Sequence, residues 1–379
     1  MAYYSIFPEK DTTLYSHPDR DTMNVGNDEI IELVKERGSN SSIYYPSRIL
    51  IQFSDNDIKT AIDKTNQLFT SSLQLFSTEH KNLSTEQSVE VFAISQSWNE
   101  GTGRYSNLPS SSNGSSWLYR DNDDTRTEWL TSSFATGTTG SINPVTTITQ
   151  GGGEWYTGSA FKGSQSFSNA DLLDLDINVT SIVNQFSSSL YNTGEGILNY
   201  GFIVKNSDSI EINISSSNGE LQYFSSDTHT IYPPKLTFKW DDSDNSYTDV
   251  SLFNIKTSGE LNVSLYRNKK EYNQNDEALI RLHVRDKYPN RLFVTSSNYL
   301  NTGYFTPTSY YSIRDAHTEE VVIPFDDNCT KLSADSKGMY FKLYMNGLQP
   351  ERYYRILFKH INNDGIEIFD NNYHFKVIR

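Results

Sequence analysis

The amino-acid sequence predicts an all-β protein built from sandwiches of antiparallel strands. Apolar and polar residues alternate in many short runs, which is the pattern of strands with one buried face. Clusters of Gly, Asn, Asp, Ser and Pro separate these runs and provide turns. The chain also contains 25 Tyr and 20 Phe, whose side chains favour strands.

The clearest runs with a period of two are the predicted strands. They cover residues 48–53, 72–77, 88–95, 235–240, 260–267, 278–286, 339–345 and 373–378. In the run 278–286, Ile280, Leu282 and Val284 would face one way and the intervening basic residues the other. This is the pattern of a half-buried antiparallel strand.

Helical periodicity occurs in two short stretches. Residues 55–67 start with aspartates that are suitable N-caps and place isoleucines on one face. Residues 178–190 fit one short helix with Ile182, Val183 and Phe186 directed inward. The remainder of the chain is predicted to be β-structure and loops.

The net charge of −15 is distributed unevenly and indicates two domains. Of the 32 basic and 47 acidic residues, 17 and 18 lie from Asp242 onward, so the net charge is −1 there and −14 before it. The acidic stretch 242–250 is predicted to link a domain at 1–241 to a domain at 251–379. The first domain would carry a long polar loop insertion at 101–170.

The composition argues against several classes of protein. The acidic balance disfavours nucleic-acid binding, because phosphates require clustered Lys and Arg. No run reaches the roughly 18 apolar residues of a membrane helix, and we expect no signal peptide and no membrane insertion. With Cys329 as its single cysteine, the chain has no intrachain disulfide and no Cys-based zinc cluster.

The sequence predicts neither a metal site nor a cofactor. Asp315, His317 and Glu319 alternate along one predicted strand, but an exposed polar strand face explains them better than a metal site. The stretch 242–253 begins like a calcium loop, yet Tyr247 occupies the position that requires glycine, so a solvated linker is favoured.

The loop insertion contains the candidate sugar-binding residues. Trp117, Trp155 and Tyr156 would stack on a pyranose ring if they were exposed. The alternative, which we favour, is that the tryptophans staple the long loops to the core. Glu100 and Glu154 each lie close to a tryptophan and are the candidate carboxylate pair of a glycosidase, although sequence spacing does not show that they meet.

Seven segments resemble, in order, the DNRLRE-type β-sandwich domain. They are DTTLYSHPDRDTMNVGNDEIIELV (11–34), SRILIQFS (47–54), SLQLFS (72–77), VEVFAISQSWNEGTG (89–103), DLDINVTSIVNQF (174–186), NYGFIVKN (199–206) and LQYFSSDTHTIYPPKLTFKW (221–240). The chain departs from the family in Asn178, which is inserted, and in the length of the 101–170 insertion. The resemblance implies a jelly-roll-like sandwich of the kind used at cell surfaces and in carbohydrate binding, and it does not imply catalysis. In this frame Trp98 would pack at a strand end and Glu100 would bond to loop backbone.

The segment NGLQPERYYRILF (346–358) resembles the tyrosine corner of fibronectin type III domains. Leu348, Pro350 and Tyr354 match its pattern, and Arg352 stands where a threonine is usual. The resemblance implies an immunoglobulin- or fibronectin III-like sandwich in which the Tyr354 hydroxyl bonds back to nearby backbone.

The whole chain resembles virion structural proteins of tailed marine phages, of the type found in myoviruses of cyanobacteria. The segments that carry the resemblance are MAYYSIFPEKDTTLYSHPDRD (1–21), ELNVSLYRNKKEYNQNDEA (260–278) and IPFDDNCTKLSADSKGMYFKLYMNGLQPERYYRILFKH (323–360). It implies a structural component of the virion but not its location in the particle. We predict that this component is non-enzymatic, belongs to the neck, tail or baseplate, is made in the host cytoplasm and is present in multiple copies or as a homo-oligomer.

The expected mode of action is docking to other virion proteins. Arg352, Tyr353 and Arg355 would form the docking surface of the second domain. The alternatives are a host-glycan-binding adhesin, or a capsid-attached decoration or fibre protein. A glycosidase is the third possibility.

Overall fold

The computed structural model shows an all-β chain, and strands hold 46% of its residues against 10% in helices. The predicted fold class, β-sandwich structure made of antiparallel sheets, is therefore confirmed. The structure describes residues 2–38, 43–65, 68–83, 86–106, 111, 113–123, 125–129, 151–192, 194–213, 219–244, 254–266, 268–289 and 302–379, and the backbone of 138–139.

The strands are numbered in chain order. The first sixteen are β1 (Ala2–Ile6), β2 (Lys10–Tyr15), β3 (Ile30–Arg37), β4 (Tyr44–Gln52), β5 (Thr70–Leu75), β6 (Ser77–Lys81), β7 (Glu86–Ala93), β8 (Tyr119–Asp121), β9 (Thr127–Glu128), β10 (Thr138–Thr139), β11 (Trp155–Tyr156), β12 (Lys162–Ser168), β13 (Leu175–Asn178), β14 (Phe202–Asn206), β15 (Glu220–Phe224) and β16 (Lys235–Trp240). The next ten are β17 (Leu261–Tyr266), β18 (Glu271–Asn273), β19 (Glu277–Asp286), β20 (Ser309–Asp315), β21 (Val321–Ile323), β22 (Ser333–Asp335), β23 (Gly338–Tyr344), β24 (Arg352–Asn362), β25 (Gly365–Phe369) and β26 (His374–Ile378).

The chain forms two compact units that interleave in sequence. The N-terminal unit contains Ile6–Lys64 and Thr70–Thr237. The C-terminal unit contains Met1–Ser5, Thr65–Phe69 and Phe238–Arg379.

The domain limits read from the sequence remain a prediction. These limits are 1–241 and 251–379, with a linker at 242–250. Residues 245–250 lie outside the described part of the chain, and so does most of 130–150 within the predicted insertion.

The large sheet of the N-terminal unit has the strand order β12-β7-β14-β4-β3-β15-β6, with β2 also paired to β4. The central strand β4 differs from the half-buried strand expected at 48–53, because Ile49, Leu50 and Ile51 are all 0% exposed. A strand covered on both faces carries apolar residues at consecutive positions. Arg48 is equally buried in this strand and therefore needs partners inside the unit.

The helices match the two predicted stretches and add a third. Helix α1 spans Asp55–Lys64, and α2 spans Thr180–Tyr191. Ile182, Val183 and Phe186 are fully buried, which confirms the inward face predicted for α2. The short helix α3 (Asp208–Ile212) was not predicted from the sequence. Of the helices that the structure describes, none has the length and apolar character needed to cross a membrane.

The C-terminal unit contains two sheets around one core. One sheet has the order β17-β19-β23-β22, and the other has the order β18-β26-β24-β20-β21 with β25 beside β24. In β19 the predicted alternation is confirmed, since Ile280, Leu282 and Val284 are at most 1% exposed. The stacked rings of Tyr311 and Phe341, with centroids 3.9 Å apart, join β20 of one sheet to β23 of the other.

The tyrosine corner predicted at the start of β24 is present. Tyr354 is 2% exposed, and its hydroxyl donates a hydrogen bond of 3.0 Å to the carbonyl oxygen of Gln349. The bond closes the turn that leads into the strand, as expected from the Leu348-Pro350-Tyr354 pattern.

We predict that Tyr354→Phe destabilises the C-terminal unit by about 1–2 kcal/mol, because the Gln349 carbonyl loses its donor. Hydrogen exchange of the β24 amides in increasing urea measures the change. The control is Tyr353→Phe, whose hydroxyl belongs to a side chain that is 47% exposed and whose effect should stay within about 0.5 kcal/mol. Equal effects of the two substitutions would contradict the structural role of the corner.

Candidate functional site

The tryptophans considered as sugar-stacking residues point into the N-terminal unit. Trp117 is 2% exposed and Trp155 is 4% exposed, so neither ring has the exposure that stacking on a pyranose requires, and their burial agrees with the favoured staple interpretation. The guanidinium carbon of Arg48 lies 4.7 Å from the ring centre of Trp117 and 4.9 Å from that of Trp155. A buried guanidinium gains cation–π stabilisation from such rings, which explains why both turn inward. Tyr156 is half-buried and packs on Phe161 with ring centres 5.2 Å apart.

Arg48 also forms a buried ion pair. Its Nη2 lies 3.0 Å from Oε2 of Glu211 and its Nε lies 3.3 Å from Oε1, so the pairing is bidentate. Lys205 lies 3.5 Å from the same carboxylate, and all three side chains are 0% exposed. Because α3 carries Glu211, the cluster ties this short helix to β4 and β14.

The remaining donors of Arg48 hold the loop that precedes β11. Its Nη1 donates to the carbonyl oxygen of Gly152 at 2.7 Å, and the Gly152 N–H donates to the carbonyl of Trp117 at 2.6 Å. Gly152 has φ +79°, and a Cβ there would lie 2.6 Å from the Arg48 guanidinium. Two points within the polar insertion, Trp117 and Gly152, are thus fixed from inside the unit, in agreement with the staple interpretation of the tryptophans.

We predict that Arg48→Met lowers the stability of the N-terminal unit by about 3–5 kcal/mol, because Glu211 remains buried without its main partner. Urea unfolding followed by tryptophan fluorescence reports this unit, which holds Trp98, Trp117, Trp129 and Trp155. The control is Lys162→Met, which removes a partly exposed ion pair with Glu90 and should cost less than about 1 kcal/mol. If Arg48→Met and Lys162→Met lower the free energy of unfolding by the same small amount, Arg48 does not organise the loops.

The SWNEGTG loop (97–103) after β7 is fixed by internal hydrogen bonds. The Trp98 indole N–H donates to the Tyr200 carbonyl at 2.9 Å, and the ring is 4% exposed. Oε1 of Glu100 accepts the backbone N–H of Asp11 at 2.9 Å. The packing of Trp98 agrees with the expectation, whereas Glu100 bonds to the backbone of strand β2 and not to loop backbone as expected.

Asn24, in the Asn-x-Gly of the opening segment, holds the same loop from the other side. Its amide nitrogen donates to the carbonyl oxygens of Glu100 at 2.6 Å and Ser115 at 2.8 Å. Its amide oxygen accepts the N–H of Gly103 at 2.9 Å and that of Gly26 at 3.1 Å. One side chain thereby joins segments that lie far apart in sequence.

In the structure Glu100 contacts Asp11 and not Glu154, its proposed partner in a glycosidase. Asp11 is 1% exposed, and its Oδ2 accepts the N–H of Ser226 at 2.6 Å. Burial raises the pKa of Asp11 to about 7, and it raises the pKa of Glu100 to about 7 as well. The backbone carbonyl oxygen of Glu154 accepts the N–H of Ser95. Asp11 was missed in the sequence analysis because its hydrogen-bond partners lie 89 and 215 residues away in the chain.

The raised pKa values give the fold a pH dependence. In unfolded chains Asp and Glu titrate near pH 4, whereas the folded pKa of Asp11 is about 7. The stabilising contribution of the protonated carboxyl is complete below about pH 4 and is lost as the pH rises through about 7. We predict that Asp11→Asn, which keeps an acceptor for the Ser226 N–H, raises the melting temperature at pH 8 relative to the unmodified chain and has little effect at pH 4.

Melting curves of the two proteins between pH 4 and pH 8 test this expectation. Asp176→Asn, at an exposed position of β13, serves as the control, and its melting temperature should equal that of the unmodified chain at every pH. A melting difference for Asp11→Asn that is independent of pH would contradict the assignment.

The residues proposed for docking do not share one face of β24. Side chains alternate along a strand, and Tyr354, Ile356 and Phe358 face the core. Tyr353, which is 47% exposed, and Arg355 therefore lie on the outer face. Arg352 is separated from them and pairs with the buried carboxylate of Asp315.

The outer face contains further residues that the sequence analysis missed. Arg314 on β20 is directly opposite Arg355, and Val321 on β21 is opposite Arg314 and 46% exposed. Arg355 pairs with Glu319 and lies 3.5 Å from Asp370. We call the set Arg314, Val321, Tyr353 and Arg355 the outer patch.

Two arginine atoms of the outer patch lack acceptors. The Nε atoms of Arg314 and Arg355 are buried and have no hydrogen-bond partner among the described residues. Arg314 also makes no ion pair within that part of the chain. Because Arg355 is already paired with carboxylates, Arg314 is the charge of the outer patch that is suited to an incoming anionic group.

Asp315, His317 and Glu319 do not form the polar strand face that was expected. Strand β20 ends at Asp315, and its carboxylate accepts the N–H groups of His317 at 2.8 Å and Thr318 at 2.9 Å. This caps the turn that follows the strand. Nowhere in the described ranges do three His, Cys, Asp or Glu side chains form a group that could hold a metal ion.

Comparisons with known proteins show only distant likeness. No family model matches the chain, and no curated protein is similar to it. A DUF4785 family protein from Legionella pneumophila aligns with 100% of this chain and 68% of its own, at 9% identity and a TM-score of 0.18. The Fcho1 mu homology domain of Danio rerio with bound Eps15 peptide aligns over 92% of this chain and 90% of its own, at 8% identity and a TM-score of 0.13. At these TM-scores neither likeness informs the fold or the function.

Proposed function

We propose that the chain is a non-enzymatic structural component of a tailed-phage particle and acts by docking to other particle proteins. The outer patch of the C-terminal unit is the observation that supports docking best. It combines an exposed tyrosine with arginines, the side chains enriched where protein interfaces carry most of their binding energy. The sequence resemblance to virion proteins supplies the setting, with the neck, tail or baseplate as the proposed location.

The proposed partner presents a carboxylate to the outer patch. Arg355 already pairs with Glu319, whereas Arg314 opposite it makes no ion pair with a described residue, so an incoming Asp or Glu side chain would pair with Arg314. Tyr353 lies beside this charge, one alternate position before Arg355, and would pack against the partner. The proposed interface is therefore a tyrosine contact next to a charge-assisted hydrogen bond.

The N-terminal unit supports a structural role in a different way. Its long polar loops are held by Arg48, Trp117 and Asn24 through contacts directed inward. These contacts within the described parts of the loops involve only residues of the chain itself, as expected for a part that is repeated in an assembled particle. Other copies of the same chain are among the proposed neighbours.

We predict that Tyr353→Ala weakens incorporation of the chain into particles by on the order of 30-fold, the effect of losing about 2 kcal/mol at an interface centre. Particles are assembled in cells that supply the variant, purified, and analysed by quantitative mass spectrometry. Tyr266→Ala is the matched control, because Tyr266 is 52% exposed on the other sheet of the same unit. The control should be incorporated normally.

A second variant tests the charge of the patch. Arg314→Glu should abolish incorporation, since it places a carboxylate against the proposed carboxylate of the partner. Normal incorporation of both Tyr353→Ala and Arg314→Glu would rule out the outer patch as the docking site. Absence of the unmodified chain from purified particles would contradict the proposed function itself.

A further inference from the structure

Strand β25 (Gly365–Phe369) has one edge that pairs with no other strand in the part of the chain that the structure describes. Its other edge pairs with β24, from Asn362 opposite Gly365 to Phe358 opposite Phe369. The register is continuous, so no bulge twists the strand away, and the strand contains neither Lys nor Pro. Bulges, lysines and prolines are common devices that protect the edge of a sheet. Without them, this edge is open to another strand.

The backbone groups at the open edge belong to Ile366 and Ile368. Ile361, which is opposite Ile366, donates its N–H to the Thr308 carbonyl at 3.2 Å, on the side of β24 that faces β20. Antiparallel pairs alternate between bonded and non-bonded positions, so Ile361 and Ile366 form a non-bonded pair, and Lys359 and Ile368 form the next one. The N–H and C=O groups of both β25 isoleucines therefore point to the open edge.

The side chains of these isoleucines are also exposed. Ile366 is 67% exposed and Ile368 is 58% exposed. They are two positions apart and share one face of the strand, whereas Glu367 between them projects to the other face and is half-buried. Apolar side chains beside open backbone groups are the features that an added strand covers in β-augmentation.

The charge of the segment selects the kind of strand that fits. The range 361–373 contains Asp364, Glu367 and Asp370 but no Lys or Arg. Pairing of two copies of β25 would bring all of their carboxylates to one interface, and this repulsion disfavours self-association. A strand with a basic residue opposite Glu367 would gain an ion pair instead.

We propose that β25 binds an extended segment of another protein in which Lys or Arg alternates with apolar residues. The apolar residues of the segment would lie opposite Ile366 and Ile368 and exchange backbone hydrogen bonds with them, and a basic residue would lie opposite Glu367. The inference rests on the proposed docking function and names a second contact of the chain. Strand β25 contains no residue of the outer patch.

The first experiment measures binding of the capped peptide Lys-Val-Lys-Val-Lys-Val-Lys to the full-length chain by calorimetry. N-methylation of the central Val removes an N–H directed at β25 and should weaken binding by about tenfold or more. N-methylation of an adjacent Lys, whose N–H points away from β25, should change the affinity by less than about threefold. Because the two derivatives have the same charge, general attraction between a cationic peptide and an acidic chain cannot separate them.

The second experiment changes the strand itself. Ile366→Lys should weaken peptide binding by about tenfold or more, because it removes an apolar contact and places a positive charge against a basic strand. The matched control is Leu279→Lys, which adds the same charge at a position 48% exposed on β19, a strand that is paired on both edges. The affinity of the control should stay within about threefold of that of the unmodified chain.

Hydrogen exchange of single amides shows where the peptide binds. In the chain alone, the N–H groups of Ile366 and Ile368 should exchange fast, whereas that of Glu367 is directed at β24 and should exchange slowly. The peptide should slow exchange at the two isoleucines and leave Glu367 unchanged.

Any of four outcomes would overturn the inference. They are failure of the peptide to bind, equal affinities of the two methylated peptides, equal effects of Ile366→Lys and Leu279→Lys, and self-association in sedimentation that Ile366→Lys abolishes. The last outcome would assign the edge to a second copy of the chain. None of them removes the chain from purified particles, whereas absence from particles would contradict the proposed function and leave peptide binding unchanged.

Discussion

The buried guanidinium of Arg48 is the constraint around which the N-terminal unit is built. A charge in the centre of a sheet is tolerated only when hydrogen bonds and an opposite charge replace the water it has lost. Glu211 supplies the charge, the Gly152 carbonyl accepts the remaining donor, and the rings of Trp117 and Trp155 cover the guanidinium. The partners come from three separate parts of the chain, at Trp117, at Gly152 and Trp155, and at Glu211, so satisfying one side chain determines the course of several segments.

This requirement changes the meaning of the polar insertion. In the sequence, loops rich in Ser, Gly and Trp allow two interpretations, a sugar-binding surface or tryptophans that staple the loops to the core, of which the second was favoured. In the structure the tryptophans face Arg48, and Asn24 binds the SWNEGTG loop from within. The surface proposed for docking, the outer patch of the C-terminal unit, lies instead on neighbouring strands.

Local patterns predicted the fold well where one period or one motif decides the structure. The alternation in β19, the buried face of α2 and the corner at Tyr354 each depend on neighbouring residues, and all three are confirmed. The sequence analysis failed where a side chain is decided by distant partners. Arg48 contacts residues 104 and 163 positions away, and Asp11 contacts one 215 positions away. No local spacing reveals such pairs.

The docking residues illustrate both what local sequence patterns predict and what they do not predict. Tyr353 is exposed, in line with the placement of docking residues on an exposed strand face. Because side chains alternate along β24, Tyr353 and Arg352 lie on opposite faces of the strand. The antiparallel register between β24 and β20 places Arg314, which is 39 positions away in sequence, on the same face as Tyr353. A face made by register across strands is visible only once the pairing of the strands is known.

A cryo-electron microscopy map of purified particles tests the central claim most directly. The account predicts that the chain occurs in repeated copies and that Tyr353 and Arg314 are covered by a neighbouring protein, with an Asp or Glu side chain against Arg314. A map in which every copy leaves this face open to solvent, or which contains no copy of the chain, would contradict the account.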